Sequence, residues 1–351
     1  MNRIPQRQPL AAQCVEWLRG RILAGAWAGF LPGERELCAQ LQISRPTLRT
    51  ALAQLQRQGW IGVAQGRRRQ ILKRSEHRPP AAGHAVGLLS PQPLHAVPPF
   101  VLFWVDLLRE QLARAGRSLE FHHAPACYTE HPQKALDGLT SRAPAGAWVL
   151  YLSTDAMQRW FATRRVPAVV AGSAYPGAGL ASVDIDYHAA CRHAAAQFRA
   201  RGHVRPALIL PAKGWAGDSE SEAGFREGCA DALIVRHDGT VEGLRARLDQ
   251  LLRQEPRPTA LLVARSNYVL TTLCVLTQRG LRVPQDMAVV SRDDDGFLDF
   301  VTPSVARYVS RPEMFARKIF RVVQQLADCG SLPRRTIRLI PEFRKGDSGG
   351  M

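Results

Sequence analysis

Residues 31–60 read LPGERELCAQLQISRPTLRTALAQLQRQGW, and this stretch decides the fold of the first part of the chain. Its four arginines stand among apolar residues at helical spacing. Acidic residues at its start suit the positive end of a helix dipole, which predicts a short helix over residues 34–41. A three-residue turn over 42–44 follows. Ser44 is a good N-cap for a further helix that runs to about Gln58.

The flanking sequence completes a three-helix domain with a basic hairpin. Apolar residues recur every four positions over 10–24, which predicts a first helix with one buried face. Pro46 fits the first turn of the third helix because its missing N–H has no intrahelical partner there. Residues 60–72, WIGVAQGRRRQIL, predict two short strands around a turn at Gln65 and Gly66. The pattern is that of an α+β winged helix-turn-helix.

The net charge of +17 over 351 residues is unevenly distributed. Residues 1–80 contain 14 Lys and Arg against 4 Asp and Glu, whereas the remaining residues contain 33 against 26. This asymmetry indicates a polyanionic partner for the first part of the chain. Nucleic acid fits better than anionic lipid because no basic amphipathic helix with an aromatic face stands out. The alternative is a chain with generally high arginine usage.

Composition also disfavours several classes of protein. No run of about 18 apolar residues could span a bilayer, so no membrane partner is expected. The first ten residues lack the apolar core of a secretory signal, which predicts a cytoplasmic protein. The seven cysteines lie far apart and form no CxxC pair, which argues against a zinc site and a disulfide framework. No cofactor is expected.

A second, larger domain follows residues 75–83, SEHRPPAAG, which have the proline and polar content of a linker. Beyond it, apolar strand-like runs alternate with amphipathic helical stretches. The runs are AVGLLS, LEFHHA, AWVLYLS, AVVAGS, PALILP, ALLVAR and MAVVS. This rhythm predicts an α/β domain of parallel sheets with helices on both faces. We assign residues 1–74 to the winged domain, 84–345 to the α/β domain and 346–351 to a tail.

Three motifs stand in order within residues 8–72: L-P-G-E-R-E-L, I-S-R-P-T-L-R-T-A-L and L-Q-R-Q-G-W-I. They resemble the GntR family of bacterial transcription regulators. The resemblance implies that Arg35, Arg45, Thr47 and Arg49 face DNA, and that Gly66 touches the minor groove.

The positions of these residues agree with that implication. Arg45 and Arg49 are four residues apart, so they share one face at the start of the third helix, the end that enters the major groove in helix-turn-helix proteins. Either could bind a guanine through two hydrogen bonds, whereas Ser44 and Thr47 suit phosphates. We place Pro46 on the same face.

Two parts of this face have more than one possible role. Arg35 either contacts DNA or forms an ion pair with a neighbouring carboxylate such as Glu36 or Glu16. The wing departs from the family, because three arginines run together after Gly66. We expect Gln65, Gly66, Arg67 and Arg68 to contact DNA, with phosphate clamping favoured over insertion into the minor groove.

Further motifs stand in order across residues 84–345: VPAVVAG, LASVDIDYHAACRHAAAQFRARGH, GFREG, RPTALLVA, RGLRVPQDMAVVSRDDDGF, TPSV and PEFRKGDS. Their order resembles the sensor half of LacI-type regulators, which share the fold of periplasmic sugar-binding proteins. The resemblance implies two lobes joined by chain crossovers, with a small-molecule effector in the cleft between them.

The polar anchors of that cleft depart from the family. The aspartate that binds sugar hydroxyls corresponds to Asp293, but the arginine before the Gly-Phe of GFREG is Ser221 here. Arg265 replaces the asparagine of an Asn-Asp pair, and it either restores the lost positive charge or pairs with Asp293 and closes the cleft. Trp215 is a platform for a sugar face or a packed loop residue. Strand-end loops add four weaker effector-binding candidates: Ser90, His122, Ser153 and Asp186.

No catalytic or metal site is evident. DDDG at 293–296 resembles the start of a calcium loop, but the required glutamate is replaced by Ser304. His122 and His123 are adjacent, so on a strand they point to opposite faces. The motifs GxxxxGK[ST] and HExxH are absent from the sequence.

The sequence therefore predicts a homodimeric repressor of a carbohydrate-utilisation operon that binds double-stranded operator DNA. A sugar or sugar phosphate bound between the lobes would relieve repression. One alternative keeps DNA binding but leaves the degenerate sensor for dimerisation alone. A solute-binding receptor and an enzyme built on the α/β domain are less favoured.

Overall fold

The computed structural model describes residues 10–23, 27, 29–57, 60–62, 69–71, 85–212, 214–329 and 336–350. Internal contacts divide the chain into two units, residues 1–80 and 81–351. The division falls within the predicted linker, 75–83, all of which lies outside the described residues. Within the described part of the chain, no helix is long and apolar enough to cross a membrane.

The described residues of the first unit, the head, form three helices and a two-stranded ribbon. The helices are α1 (Leu10–Leu23), α2 (Glu34–Leu41) and α3 (Arg45–Arg57), and the antiparallel strands are β1 (Ile61–Gly62) and β2 (Gln70–Ile71). Leucines from all three helices form its core with Ile61 and Ile71. Gln42 adopts a left-handed conformation with φ 52°, which ends α2 and turns the chain into α3. The predicted winged helix-turn-helix is confirmed.

The second unit alternates strands and helices. Its strands are β3 (Ala85–Ser90), β4 (Ser118–His123), β5 (Ala147–Tyr151), β6 (Ala168–Ala171), β7 (Ala181–Ile185), β8 (Ala207–Pro211), β9 (Leu233–His237), β10 (Ala260–Val263), β11 (Ala288–Ser291), β12 (Ala306–Val309), β13 (Thr336–Leu339) and β14 (Glu342–Arg344). Its helices are α4 (Pro99–Arg114), α5 (Gln133–Arg142), α6 (Asp155–Thr163), α7 (Tyr187–Ala200), α8 (Ala216–Gly228), α9 (Val241–Leu252), α10 (Ser266–Gln278) and α11 (Pro312–Cys329).

These elements form two lobes, each built on a six-stranded sheet. The sheet of lobe 1 has the order β13-β7-β6-β5-β3-β4 and is parallel throughout. The sheet of lobe 2 has the order β14-β12-β11-β10-β8-β9, in which only β14 is antiparallel to its neighbour. Helices α4 and α11 cover one face of the first sheet, and α5 and α6 cover the other. In lobe 2, α7 and α8 lie opposite α9 and α10.

The chain crosses between the lobes three times, after β7, after β12 and after β13. The predicted two-lobed α/β architecture with parallel sheets is therefore confirmed. All seven apolar runs singled out in the sequence contain strands of these sheets. Since the carboxyl ends of the strands and the crossovers meet between the lobes, the cleft is the expected place for a ligand.

Two glycines allow α7 and α8 to approach closely. A Cβ added at Gly224 would lie 2.1 Å from the carbonyl oxygen of His188, and one added at Gly228 would lie 2.4 Å from that of Arg192. Both contacts are with backbone, which cannot rotate away. The spacing of four residues places the two glycines on one face of α8.

Replacing Gly224 by alanine is expected to lower the free energy of unfolding by about 1–3 kcal/mol, because the added methyl group overpacks the interface between the two helices. The matched control is Gly138→Ala in α5, where the nearest atom to an added Cβ is 3.9 Å away. That change should raise stability by about 0.4–1 kcal/mol. Thermal unfolding of both variants tests the pair, and equal melting temperatures would contradict the packing argument.

Candidate nucleic-acid interface and interlobe cleft

The amino-terminal turn of α3 presents several polar side chains of the head. The Ser44 hydroxyl lies 3.4 Å from the amide nitrogen of Thr47 and 2.8 Å from its hydroxyl oxygen. Ser44 therefore sits at the N-cap position that the sequence predicts. Arg45 and Pro46 are exposed, and among the described residues Arg45 forms no ion pair. No contact among the described residues therefore prevents the guanidinium of Arg45 from binding a partner from solution.

Arg49 and Arg35 differ in their surroundings. Arg49 Nε donates to Glu34 Oε2 at 3.0 Å, although its side chain remains 67% exposed. Arg69 Nη2 donates to the other oxygen of the same carboxylate at 3.1 Å. Arg35 is exposed, and within the described part of the chain it makes no ion pair with Glu36. The side chain of Glu16, its other suggested partner, lies outside the described residues.

Much of the wing lies outside the described residues. This applies to Gln65, Gly66, Arg67 and Arg68, whose DNA contacts stay predictions. The return strand of the wing is anchored by its backbone, because Leu31 N–H donates to Arg69 O at 2.9 Å and Ile71 N–H donates to Gly29 O at 2.8 Å. Strand β2 is thereby fixed against the segment that leads into α2.

In lobe 2, an ionic cluster lies where the loops leave β10 and β11. Arg292 Nε donates to Asp293 Oδ1 at 3.0 Å, and its Nη1 donates to Asp218 Oδ1 at 3.0 Å and to Ser221 Oγ at 2.8 Å. Arg265 Nη2 lies 2.9 and 3.0 Å from the two oxygens of Asp218. Arg265 Nη1 is 3.8 Å from Asp293 Oδ2. Two arginines and two aspartates thus neutralise one another.

Because this cluster is buried, its charges interact strongly with one another. The side chains of Arg292 and Asp218 are each 1% exposed. Burial alone would lower the pKa of Arg292, but the charges of Asp293 and Asp218 outweigh it and hold the pKa above its usual value. Burial raises the pKa of Asp293, and Arg292 opposes that shift. Arg292 is therefore a charged group that depends on both carboxylates.

Side chains near the crossovers bring the lobes together beside this cluster. The Arg292 guanidinium lies 4.1 Å from the ring centre of Tyr187, the first residue of α7. A Cβ at Gly217 of α8 would be only 3.2 Å from that ring and 3.5 Å from Ser173 Oγ of lobe 1. Ser173 Oγ in turn donates to Asp184 at 2.5 Å, and burial raises the pKa of Asp184 to about 6.

Comparison with known proteins supports both halves of this description. The family described as bacterial regulatory proteins, gntR family, matches residues 10–71, and the periplasmic binding protein-like domain matches residues 195–348. Residues 10–71 are thus similar to GntR-type heads, and residues 195–348 are similar to periplasmic binding protein-like domains. The second unit is called the LacI-type domain below, after solved LacI-family regulators whose fold it shares, and its cleft is the gap between the two lobes.

Individual relatives match part of the chain at low identity. The HTH-type transcriptional repressor PurR of Vibrio cholerae is 24% identical over 155 residues, which cover 42% of this chain and 46% of the relative. The regulator CelR of Thermobifida fusca is 29% identical over 167 residues, covering 45% and 49%. The chain therefore spans about half the length of these curated relatives. A LacI-family regulator of Enterococcus faecium, solved with bound ribose, shares the fold with a TM-score of 0.62 at 15% identity, covering 75% of this chain and 98% of that one.

Of the sequence-predicted effector residues, the LacI-type domain brings Ser221, Arg265 and Asp293 together in the ionic cluster. Trp215 stands next to them, half-buried at the N-cap of α8, where its backbone N–H donates to Asp218 Oδ2 at 3.1 Å. Arg265 pairs most closely with a residue that neither option from the sequence named. Its closest carboxylate is Asp218, which the sequence interpretation overlooked, rather than Asp293.

Four other candidates lie earlier in the sequence than this cluster. Each already has a hydrogen-bond or packing partner. Asp186 caps α7 by accepting from Ala189 N–H at 2.9 Å. Ser90 Oγ donates to Gln92 O at 2.8 Å, and Ser153 Oγ accepts from Gln158 at 2.9 Å. The His122 ring packs 5.2 Å from that of Trp148, and burial lowers the pKa of His122. Their effector contacts stay predictions.

The three aspartates of DDDG have separate partners. Asp293 pairs with Arg292, Asp294 accepts from Arg307 Nε at 2.5 Å, and Asp295 caps the 3-10 helix over 296–300. The motif thus serves to position the loop after β11. Among the described residues, no three His, Cys, Asp or Glu side chains are grouped so that they could hold a metal ion.

The most informative residue that the sequence interpretation missed is Arg292. In the family an arginine at the position of Ser221 grips the effector, and here Ser221 instead accepts a hydrogen bond from Arg292. The guanidinium that α8 lacks is therefore supplied from the end of β11. Paired departures at 221 and 292, one losing an arginine and the other gaining one, were the available signal.

Proposed function

We propose that this protein is a sequence-specific DNA-binding transcription regulator of the cytoplasm, acting as a homodimeric repressor of carbohydrate-utilisation genes under the control of a small molecule bound between the lobes. The observation that carries the proposal is the exposed guanidinium of Arg45, which forms no ion pair among the described residues, at a capped helix start in a GntR-type head joined to a LacI-type domain. Curated relatives that match this chain are named transcriptional regulators and repressors, which also favours regulation over catalysis.

The charges of the cleft favour an uncharged effector over a sugar phosphate. Arg265 and Arg292 are both engaged by carboxylates, so a phosphate would have to displace Asp218 or Asp293 to reach them. The partly exposed groups, Arg265 and Asp293, offer one donor and one acceptor 3.8 Å apart. A vicinal diol supplies both complementary groups. The ribose bound to the Enterococcus faecium relative is such a compound.

A second candidate function follows from the same cluster. Because its charges already satisfy one another, the LacI-type domain could serve dimerisation alone and leave the head bound to DNA without an effector. In that case no small molecule would stabilise the protein. Measuring whether a small molecule stabilises the protein therefore distinguishes the two candidate functions.

The test has two steps. Duplexes enriched from a random-sequence pool by the purified protein should share a near-palindromic sequence, and failure to enrich any sequence at low salt would refute DNA recognition. Thermal unfolding is then followed with neutral pentoses and hexoses and with their phosphates.

A neutral sugar at about 100 times its Kd should stabilise the protein by about 2.7 kcal/mol, and Asp293→Asn should abolish the shift. A larger shift with a phosphate would contradict the neutral class. No shift with any compound, with DNA binding intact, would favour the dimerisation-only function.

A further inference from the structure

One carboxylate links three elements of the head. Glu34, the first residue of α2, binds Arg49 of α3 through Oε2 and Arg69 next to strand β2 through Oε1, at 3.0 and 3.1 Å. Hydrogen bonds from Arg49 and then Arg69 lower the pKa of Glu34, which keeps the carboxylate charged. A carboxylate beside the proposed phosphate-binding face is unfavourable for DNA affinity in itself, so its placement calls for a separate reason.

The reason is the atom of Arg49 to which Glu34 binds. Glu34 accepts from Nε, the nitrogen nearest the backbone, and leaves both terminal nitrogens of the Arg49 guanidinium without a described partner. With the side chain 67% exposed, the terminal fork projects towards solvent. A guanidinium held at Nε is preorganised to bind a guanine end-on through its two terminal nitrogens, since less side-chain freedom is lost on binding.

We infer that Glu34 is a positioning residue for sequence recognition, which aims Arg49 at one base and ties the root of the wing to the recognition helix through Arg69. The inference rests on the proposed function. It assigns specificity to an acidic residue that contributes nothing to phosphate attraction.

Glu36 provides a matched control. It lies in the same first turn of α2, carries the same charge and is exposed, and within the described residues it contacts neither arginine. Glu34→Ala and Glu36→Ala therefore remove the same charge from the same turn, but only the first releases Arg49. The measured quantity is the ratio of the Kd for scrambled DNA to the Kd for the enriched duplex.

Glu34→Ala should lower this ratio about 10-fold, within the range of a lost bidentate guanine contact, while binding to scrambled DNA is unchanged or tighter. Glu36→Ala should change both Kd values equally and leave the ratio intact. Arg49→Ala should lower the ratio as Glu34→Ala does, and the double variant should lower it no further, because Glu34 acts through Arg49.

Three outcomes would overturn the inference. The first is an affinity ratio for Glu34→Ala within twofold of wild type, and the second is full additivity of the effects of Glu34→Ala and Arg49→Ala on that ratio. The third is equal weakening of binding to both duplexes together with a lower melting temperature, which indicates a role in folding alone. Should Glu34→Ala fail to fold, Glu34→Gln, which retains one acceptor oxygen, is measured in the same way. If the wild-type protein itself does not discriminate, the proposed function fails; if it discriminates and Glu34→Ala does too, only this inference fails.

Discussion

Replacing Arg292 by methionine is expected to lower the free energy of unfolding of the LacI-type domain by about 3–5 kcal/mol, the usual cost of removing one partner of a buried ion pair. The substitution removes the guanidinium from Asp218 and Asp293 at once. Asp218 is 1% exposed and keeps Arg265, whereas Asp293 is left with a partner no closer than 3.8 Å. Uncompensated negative charge in a dry site is the source of the loss.

Thermal and urea unfolding measure the effect, and two variants calibrate it. Arg282→Ala breaks an ion pair with Asp286 on the surface, where the Arg282 side chain is 73% exposed, and should change stability by no more than about 1 kcal/mol. Adding Asp293→Asn to Arg292→Met should restore part of the stability, because one unpaired charge is neutralised. A loss below about 1 kcal/mol for Arg292→Met would show that the cluster is not the buried, mutually dependent network described above.

Local signals were sufficient to predict the head. The predicted bounds of α2 agree with the structure, 34–41, because acidic residues mark its start and the following turn is short. The third helix begins at the predicted cap. In the LacI-type domain six of the seven apolar runs identified buried strands, since strands buried on both faces need apolar residues at every position. The seventh run, LEFHHA, is the half-buried edge strand β4.

Two strands outside these runs, β13 and β9, lack such a signal. Strand β13, TIRL, alternates between exposed and half-buried residues and pairs with β7, more than 150 positions earlier in the chain. Strand β9 is half-buried at an edge of its sheet. The pairing of β13 depends on the return of the chain from lobe 2 to lobe 1, which short windows of sequence do not contain.

Contacts within the sites were harder to predict than the positions of the sites. Ser221, Arg265 and Asp293 were found because the family pattern marks their places in the chain. Glu34 and Asp218 were missed as site residues for a common reason: a carboxylate in the first turn of a helix already has an adequate role in the helix dipole. Only the three-dimensional arrangement shows that each also binds two arginines.

Replacing Arg45 by alanine is expected to abolish the preference of the head for its enriched duplex while leaving folding and any effector response unchanged. Arg45 is exposed and makes no ion pair among the described residues, so its loss removes no internal contact that the structure records. A bidentate arginine–guanine contact discriminates between bases by about 1–3 kcal/mol. The affinity ratio between enriched and scrambled DNA should therefore fall by roughly 5- to 150-fold per protomer site.

Arg57 supplies the control, because it is an exposed arginine at the opposite end of the same helix. Arg57→Ala removes the same charge from α3 but not from the end proposed to enter the major groove, so binding to both duplexes should weaken in parallel and less at high salt. Mobility shifts with both duplexes at two salt concentrations separate these effects. If Arg45→Ala changes binding to enriched and scrambled DNA equally, or changes neither, then Arg45 is not a base reader, and the specificity of the head must come from Arg49, Arg35 or the wing.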